Sequence, residues 1–193
     1  MNRVDFIGTH DGRPRYIERN KERGGAFEHV VPAQIVYCRG IEAWVFDLPH
    51  VVTLAGNYLK KFRAENVHLI PGDFFKDSFG EGYDLIISSS NPSGKSIELL
   101  PKISSALNNG GYFINVQSPG GLPDDPLQTL EYKLWTFQGV NKLHGGFTKE
   151  QAFMTPEYRD ALTENNLIIT GEQDIRDHYH RDTWVRMVTT RKK

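Results

Sequence analysis

Apolar residues along this chain fall in short runs whose period switches between two and three to four, and the switch is sharpest between residues 42 and 75. A run rich in β-branched and aromatic residues at 43–46 ends at Asp47 and Pro49. Leu54, Ala55, Tyr58, Leu59 and Phe62 then recur at helical spacing. The next apolar run, 67–70, stops at Pro71-Gly72, and Asp73 follows at once. The pattern predicts strand, acidic turn, helix, strand, acidic turn: one βαβ unit. Further along, 83–87 predicts a buried parallel strand ending in Ser88-Ser89-Ser90-Asn91-Pro92. Ile97, Leu100, Ile103 and Leu107 predict a helix over 97–107, which Pro101 either kinks or begins. Asn108-Asn109-Gly110-Gly111 is a stop signal, and 112–116 is the next strand.

The second half reads less evenly. Residues 118–126 form a Gly/Pro loop, and Asp125-Pro126 suits a helix start carrying the stripe Leu127, Leu130, Leu134 and Phe137. Thr148 with Gln151 fits a capping box, and Thr155-Pro156-Glu157 another helix start. Tyr158, Ala161 and Leu162 face inward until Asn165-Asn166. Strands at 167–170 and 183–189 close the chain as an antiparallel pair, since no crossover helix separates them. Ahead of all this, residues 1–25 are charged with scattered apolar positions and suggest an arm. Residues 26–38 fit either a helix interrupted at Pro32 or a strand at 34–38. The order indicates an α/β fold with a mostly parallel sheet, divided into an arm at 1–40 and a domain at 41–193.

Composition narrows the class. The chain has 193 residues, 38% hydrophobic and 24% charged, enough for one globular core. A net charge of −1 gives no electrostatic case for a nucleic-acid or membrane partner. Cys38 is the single cysteine, so no intramolecular disulfide forms; it reads as a small buried hydrophobe in a reducing cytosol. No apolar run reaches transmembrane length, and the start lacks the apolar core of a secretory signal, so the expected location is cytoplasmic.

The chemistry of the βαβ unit lies in its two acidic turns. Asp47 and Asp73 each follow a predicted strand, at the sheet edge where open α/β folds bind ligands. One carboxylate there can accept both hydroxyls of a ribose. The other, beside an aromatic, can accept from an adenine amino group while the ring packs on the base. Either residue alone could simply cap the next helix. A dinucleotide is a rival ligand, but no GxGxxG is present. Residues 89–96, SSNPSGKS, resemble a phosphate-binding loop in their GKS, yet the first glycine is Ser89 and Pro92 removes a backbone donor. His178 and His180, near Asp177 and Asp182, fit a metal site or a solvated loop. His144 is a candidate base or a loop residue, and Trp135 and Phe137 fit a pocket wall or ordinary core packing.

Four stretches resemble the catalytic domain of class I S-adenosylmethionine-dependent methyltransferases, of the small-molecule O-methyltransferase family: VFDLPHVV (45–52), PGDFFKD (71–77), YDLIISS (83–89) and ALNNGGYFIN (106–115). The resemblance covers roughly residues 41–190 and implies a Rossmann-like sandwich. It implies S-adenosylmethionine as cofactor, with Asp47 on the ribose, Leu48 lining the adenosine pocket, Asp73 and Phe74 at adenine, and Ser88 near the ribose or sulfonium. The implied partner is a small-molecule acceptor methylated on oxygen, and a homodimer stays open. Three departures accompany the likeness. The glycine-rich loop after the family's first strand is expected within about residues 10–40, where only Gly24-Gly25 comes near, so that strand is expected to be missing or degenerate. The chain is too short to include the family's N-terminal dimerisation domain. The Leu-His-Asp-Trp stretch that supplies the family's base is replaced by Ser-Asn-Pro-Ser-Gly, which leaves the catalytic residue unknown. A truncated, non-catalytic remnant is the alternative.

Overall fold

The computed structural model describes residues 2–7, 41–89, 92–120, 126–127, 130, 152–176 and 184–193. Seven strands form one sheet in the order β3-β2-β1-β4-β5-β7-β6. They are β1 (Asn2–Ile7), β2 (Ile41–Asp47), β3 (Val67–Pro71), β4 (Tyr83–Ser89), β5 (Leu107–Gln117), β6 (Leu167–Arg176) and β7 (Trp184–Lys192). Strands β1 to β5 pair in parallel, and β7 runs antiparallel to both β5 and β6. This is the mostly parallel sheet with a closing antiparallel pair that the order of elements indicates. Strand order reverses between β1 and β4, which makes their carboxyl ends a topological switch point.

One expectation is overturned. The first strand is neither missing nor degenerate: NRVDFI is β1, at the centre of the sheet, with Phe6 opposite both Val45 and Ile87. A central strand is held by ladders on both edges and needs no long apolar run, and this one has only Val4, Phe6 and Ile7 as apolar residues. The strand therefore lies upstream of the 10–40 window. Gly8 and Gly12 follow it in sequence, outside the described residues, as do Gly24, Gly25, Pro32 and Cys38.

Helices cover both faces. α1 (Pro49–Phe62) starts on a proline and ends where Arg63 takes a left-handed conformation, its N–H turned back to Leu59 and Lys60 carbonyls. Alternation along β2 sends Ala43 and Val45 to the face covered by α1, with Ala55, Tyr58 and Leu59, while Phe46 enters the opposite core. That larger core joins Phe46, Phe79, Tyr83 and Phe113 to residues of α2 (Leu100–Ala106) and α3 (Pro156–Glu164). The alternative left open at Pro101 resolves as a start: a 3-10 turn at Ile97–Leu99 precedes α2, and the proline stands in its first turn. α3 begins as its pattern implies, Thr155 accepting from the Tyr158 N–H at 3.3 Å, with Tyr158, Ala161 and Leu162 buried.

Asn108-Asn109-Gly110-Gly111 ends the helix but is not a loop. β5 runs straight through it, with a register shift against β4 between Tyr83 and Leu85. Gly110 has φ 82°, and a Cβ on Gly111 would stand 2.9 Å from the Asn108 carbonyl oxygen, so the irregularity requires glycine. Of the stripe expected after Asp125, only Leu127 and Leu130 are described, and both are exposed. Among the described residues no helix is long and apolar enough to cross a membrane.

Candidate active site

Asp47 is the last residue of β2, placed at the sheet edge where the chain turns into α1. Its side chain is 1% exposed. Oδ1 accepts from the Leu48 N–H at 2.7 Å, but Oδ2 is buried with no hydrogen-bond partner among the described residues. An unpaired buried carboxylate is costly, and burial accordingly pushes its pKa up to about 7, against the smaller opposing effect of the Leu48 bond. The site thus holds a preformed acceptor that faces no cation among the described residues.

The neighbouring turn is tied to it. Asp47 pairs with Pro71 in register, and the Gly72 N–H donates to the Asp47 carbonyl at 2.9 Å. Gly72 has no room for a side chain, since a Cβ would fall 2.4 Å from the Phe46 ring. Asp73 follows, half-buried. Its Oδ1 accepts from the Phe75 N–H at 2.9 Å, its Oδ2 pairs with Lys76 at 3.0 Å, and its own N–H donates to Asp77 at 2.8 Å. Lys102 clamps the turn by donating to the carbonyls of Phe74 and Asp77. Adjacent strands lie ~4.8 Å apart, so Asp73, two residues beyond Asp47's partner, sits within about 10 Å of it on the same edge. Phe74 differs from its expected place: its ring is 4% exposed and packs on Phe46 at 5.4 Å, inside the core. Leu48, at the start of α1, is partly exposed.

Across the switch point lies a second, wholly buried polar group. Ser88 is 0% exposed and stands opposite Ile7 on one side and Asn115 on the other. Gln117 donates to Ser88 Oγ at 3.3 Å and to Asn115 Oδ1 at 2.8 Å. Asn115 donates to the Gly94 carbonyl at 2.6 Å and to Tyr158 Oη at 2.9 Å, and Tyr158 donates to Gly94 at 2.8 Å. Burial pushes the Tyr158 phenol up, so it stays protonated. Gly94 is obligatory: a Cβ would lie 2.2 Å from Gln117 Nε2. The stretch read as loosely like a phosphate loop therefore packs its Gly94 carbonyl inward. The next residue, Lys95, is 4% exposed, and burial lowers its pKa to about 8. The pattern marks Lys95 only as the lysine of the phosphate-loop reading, and it does not mark Asn115, Gln117 or Tyr158 as site residues. Asn115 and Gln117 carry a legible signal, two polar residues at alternate positions among Tyr112, Phe113, Ile114 and Val116, and so on one face.

Trp135, Phe137, His144, His178 and His180 lie outside the described residues. Among the described residues no group of His, Cys, Asp and Glu could hold a metal ion.

The O-methyltransferase domain family matches residues 23–156. An uncharacterised protein of Methanocaldococcus jannaschii is 48% identical over 132 residues, 65% of this chain and 35% of that protein. Among solved structures, the mitomycin 7-O-methyltransferase MmcR superposes with a TM-score of 0.67 at 14% identity, over 100% of this chain and 49% of that chain. An O-methyltransferase family 2 protein from Planctomyces limnophilus, solved with apigenin, gives 0.61 at 18% identity, over 99% and 50%. The YcgJ protein from Bacillus gives 0.62 at 15% identity, over 100% and 92%. At such identities the likeness is one of fold. The chain spans about a third of the curated relative and about half of the first two of these structures.

Proposed function

Because the chain belongs to the O-methyltransferase domain family, we propose that it binds S-adenosylmethionine across the tips of β2 and β3 and methylates a hydroxyl oxygen of a small molecule. The observation that carries this reading is Asp47 Oδ2, a buried acceptor without a partner among the described residues, at the edge where a ribose would lie. Hydroxyl donors there would satisfy that oxygen and favour the ionised carboxylate. Asp73 and the backbone of Phe74 flank the adenine end, Leu48 follows Asp47 at the start of α1, and Ser88 stands at the switch point. The bound cofactor supplies a methyl group already activated on a sulfonium. What remains for the chain is to align the acceptor oxygen and to take up its proton.

Ultraviolet cross-linking with S-adenosylmethionine, followed by peptide mapping, tests the placement. Label is expected in peptides containing 47–52 or 71–77, and excess S-adenosylhomocysteine should remove it. Label confined to other peptides, or label that does not respond to competition, contradicts the reading.

A further inference from the structure

The turn after β4 closes one side of a cavity of about 260 Å³. Lys95, Ser96, Ile97 and Glu98 line it from that turn, and Ala152, Thr155 and Tyr158 line it from the start of α3. It belongs to the carboxyl edge of the sheet: Phe153 donates to the Pro119 carbonyl just beyond the end of β5, and Tyr158 is bonded to Asn115 within β5. The cavity therefore sits over β4 and β5, across the switch point from the acidic tips of β2 and β3. An apolar cavity of ~150 Å³ already takes up benzene, so this one has room for a substituted single ring.

Lysine side chains ordinarily run their stems along apolar surface and deliver the ammonium to water. Lys95 instead is 4% exposed and lines the cavity. Among the described residues that line the space Glu98 is also charged, and it is exposed. On α3, Tyr158 keeps its protonated phenol turned to the Gly94 carbonyl and Asn115, and Arg159 pairs with Glu172 at 2.7 Å. A desolvated amine in such a place is a weakened cation and a better proton acceptor at neutral pH.

We propose that Lys95 takes the proton of a phenolic or enolic hydroxyl bound in this cavity, the acceptor whose oxygen is to be methylated. The inference rests on the methyl-transfer reading of the preceding subsection. In the step, the hydroxyl proton passes to the lone pair of Nζ and the O–H bonding electrons stay on oxygen. An ammonium and an oxyanion result, with no change in total charge. The lowered pKa of about 8 leaves about a tenth of Lys95 unprotonated at pH 7 and about half at pH 8, far more than an ordinary lysine.

The probe is 4-nitrophenol, whose absorption reports its own ionisation without any methyl donor. With the wild-type full chain, the ionisation midpoint of the bound dye should fall by at least about one pH unit below that of the free dye, as a cation within contact distance requires. Lys95→Met and Lys95→Gln, checked for folding by circular dichroism, should return the midpoint to the free value or above it. An equal midpoint in wild type and variants overturns the proposal, and so does failure of the wild type to bind the dye. S-adenosylhomocysteine titrated into the same samples separates the two claims. A dye shift without nucleoside binding defeats the cofactor reading and leaves the proton acceptor standing; nucleoside binding without a dye shift does the reverse.

Discussion

Asp47→Asn is expected to stabilise the ligand-free protein while weakening its binding of the cofactor product. The folded carboxyl titrates at about 7 against an ordinary value of 3.8, because burial disfavours its charge. The sign follows from linkage. The folded state holds the proton to higher pH than the unfolded chain does, so the penalty is absent below about 3.8, grows as pH rises, and is complete above about 7. At ~1.36 kcal/mol per pH unit the full penalty is on the order of 4 kcal/mol. Asparagine removes the charge but leaves an amide group short of partners, which costs ~1–3 kcal/mol. The net gain at pH 8 is then about 1–3 kcal/mol, or ~2–10 °C in melting temperature for a chain of this size. Thermal melts of wild type and variant between pH 4 and pH 8, without ligand, measure it. The difference should be near zero or reversed at pH 4 and should widen up to about pH 7. A variant less stable than wild type at pH 8, or an offset independent of pH, would refute the reasoning.

Three further outcomes follow from particular contacts. Gly94→Ala should destabilise by about 1–3 kcal/mol or more, read as a lower denaturation midpoint in urea, because the added carbon meets Gln117 and Ser88 side chains held on all sides. Tyr158→Phe should cost ~1–3 kcal/mol by the same assay, since it strips the Gly94 carbonyl and the Asn115 amide of a buried partner. Arg186→Ala breaks a two-pronged pair with Asp174 at 2.7 and 2.9 Å, but on the surface, where solvent screens the attraction; melting should stay within the scatter of replicates.

Much of the sheet was legible because its local chemistry agrees with its tertiary place. The run at 43–46 ends at Asp47 and Pro49, the β3 run ends at Pro71-Gly72, and Thr155-Pro156-Glu157 starts a helix, each by signals that depend on a few neighbouring residues. β1 was not legible, since a six-residue strand held by ladders on both sides carries little pattern of its own. Gly110-Gly111 misled for the opposite reason: a strong turn signal is used for a bulge inside a strand. In the site, Asp47 announced itself by its place after a strand. The Ser88–Gln117–Asn115–Tyr158 group did not, because its members are 29 and 43 residues apart in sequence and meet only once the sheet is built. Phe74 was misplaced since period alone does not say which of two adjacent aromatics, Phe74 or Phe75, turns inward.

Calorimetric titration of S-adenosylhomocysteine into the full chain and into Asp47→Ala bears most directly on the claim that a buried carboxylate at the β2 tip waits for a ribose. One-site binding with a Kd on the order of micromolar, weakened at least ~10-fold in the variant, is the expected result, since a charge-assisted hydrogen bond is worth ~1.5–3 kcal/mol. Absence of heat with wild type, or equal affinity in the two proteins, would contradict it.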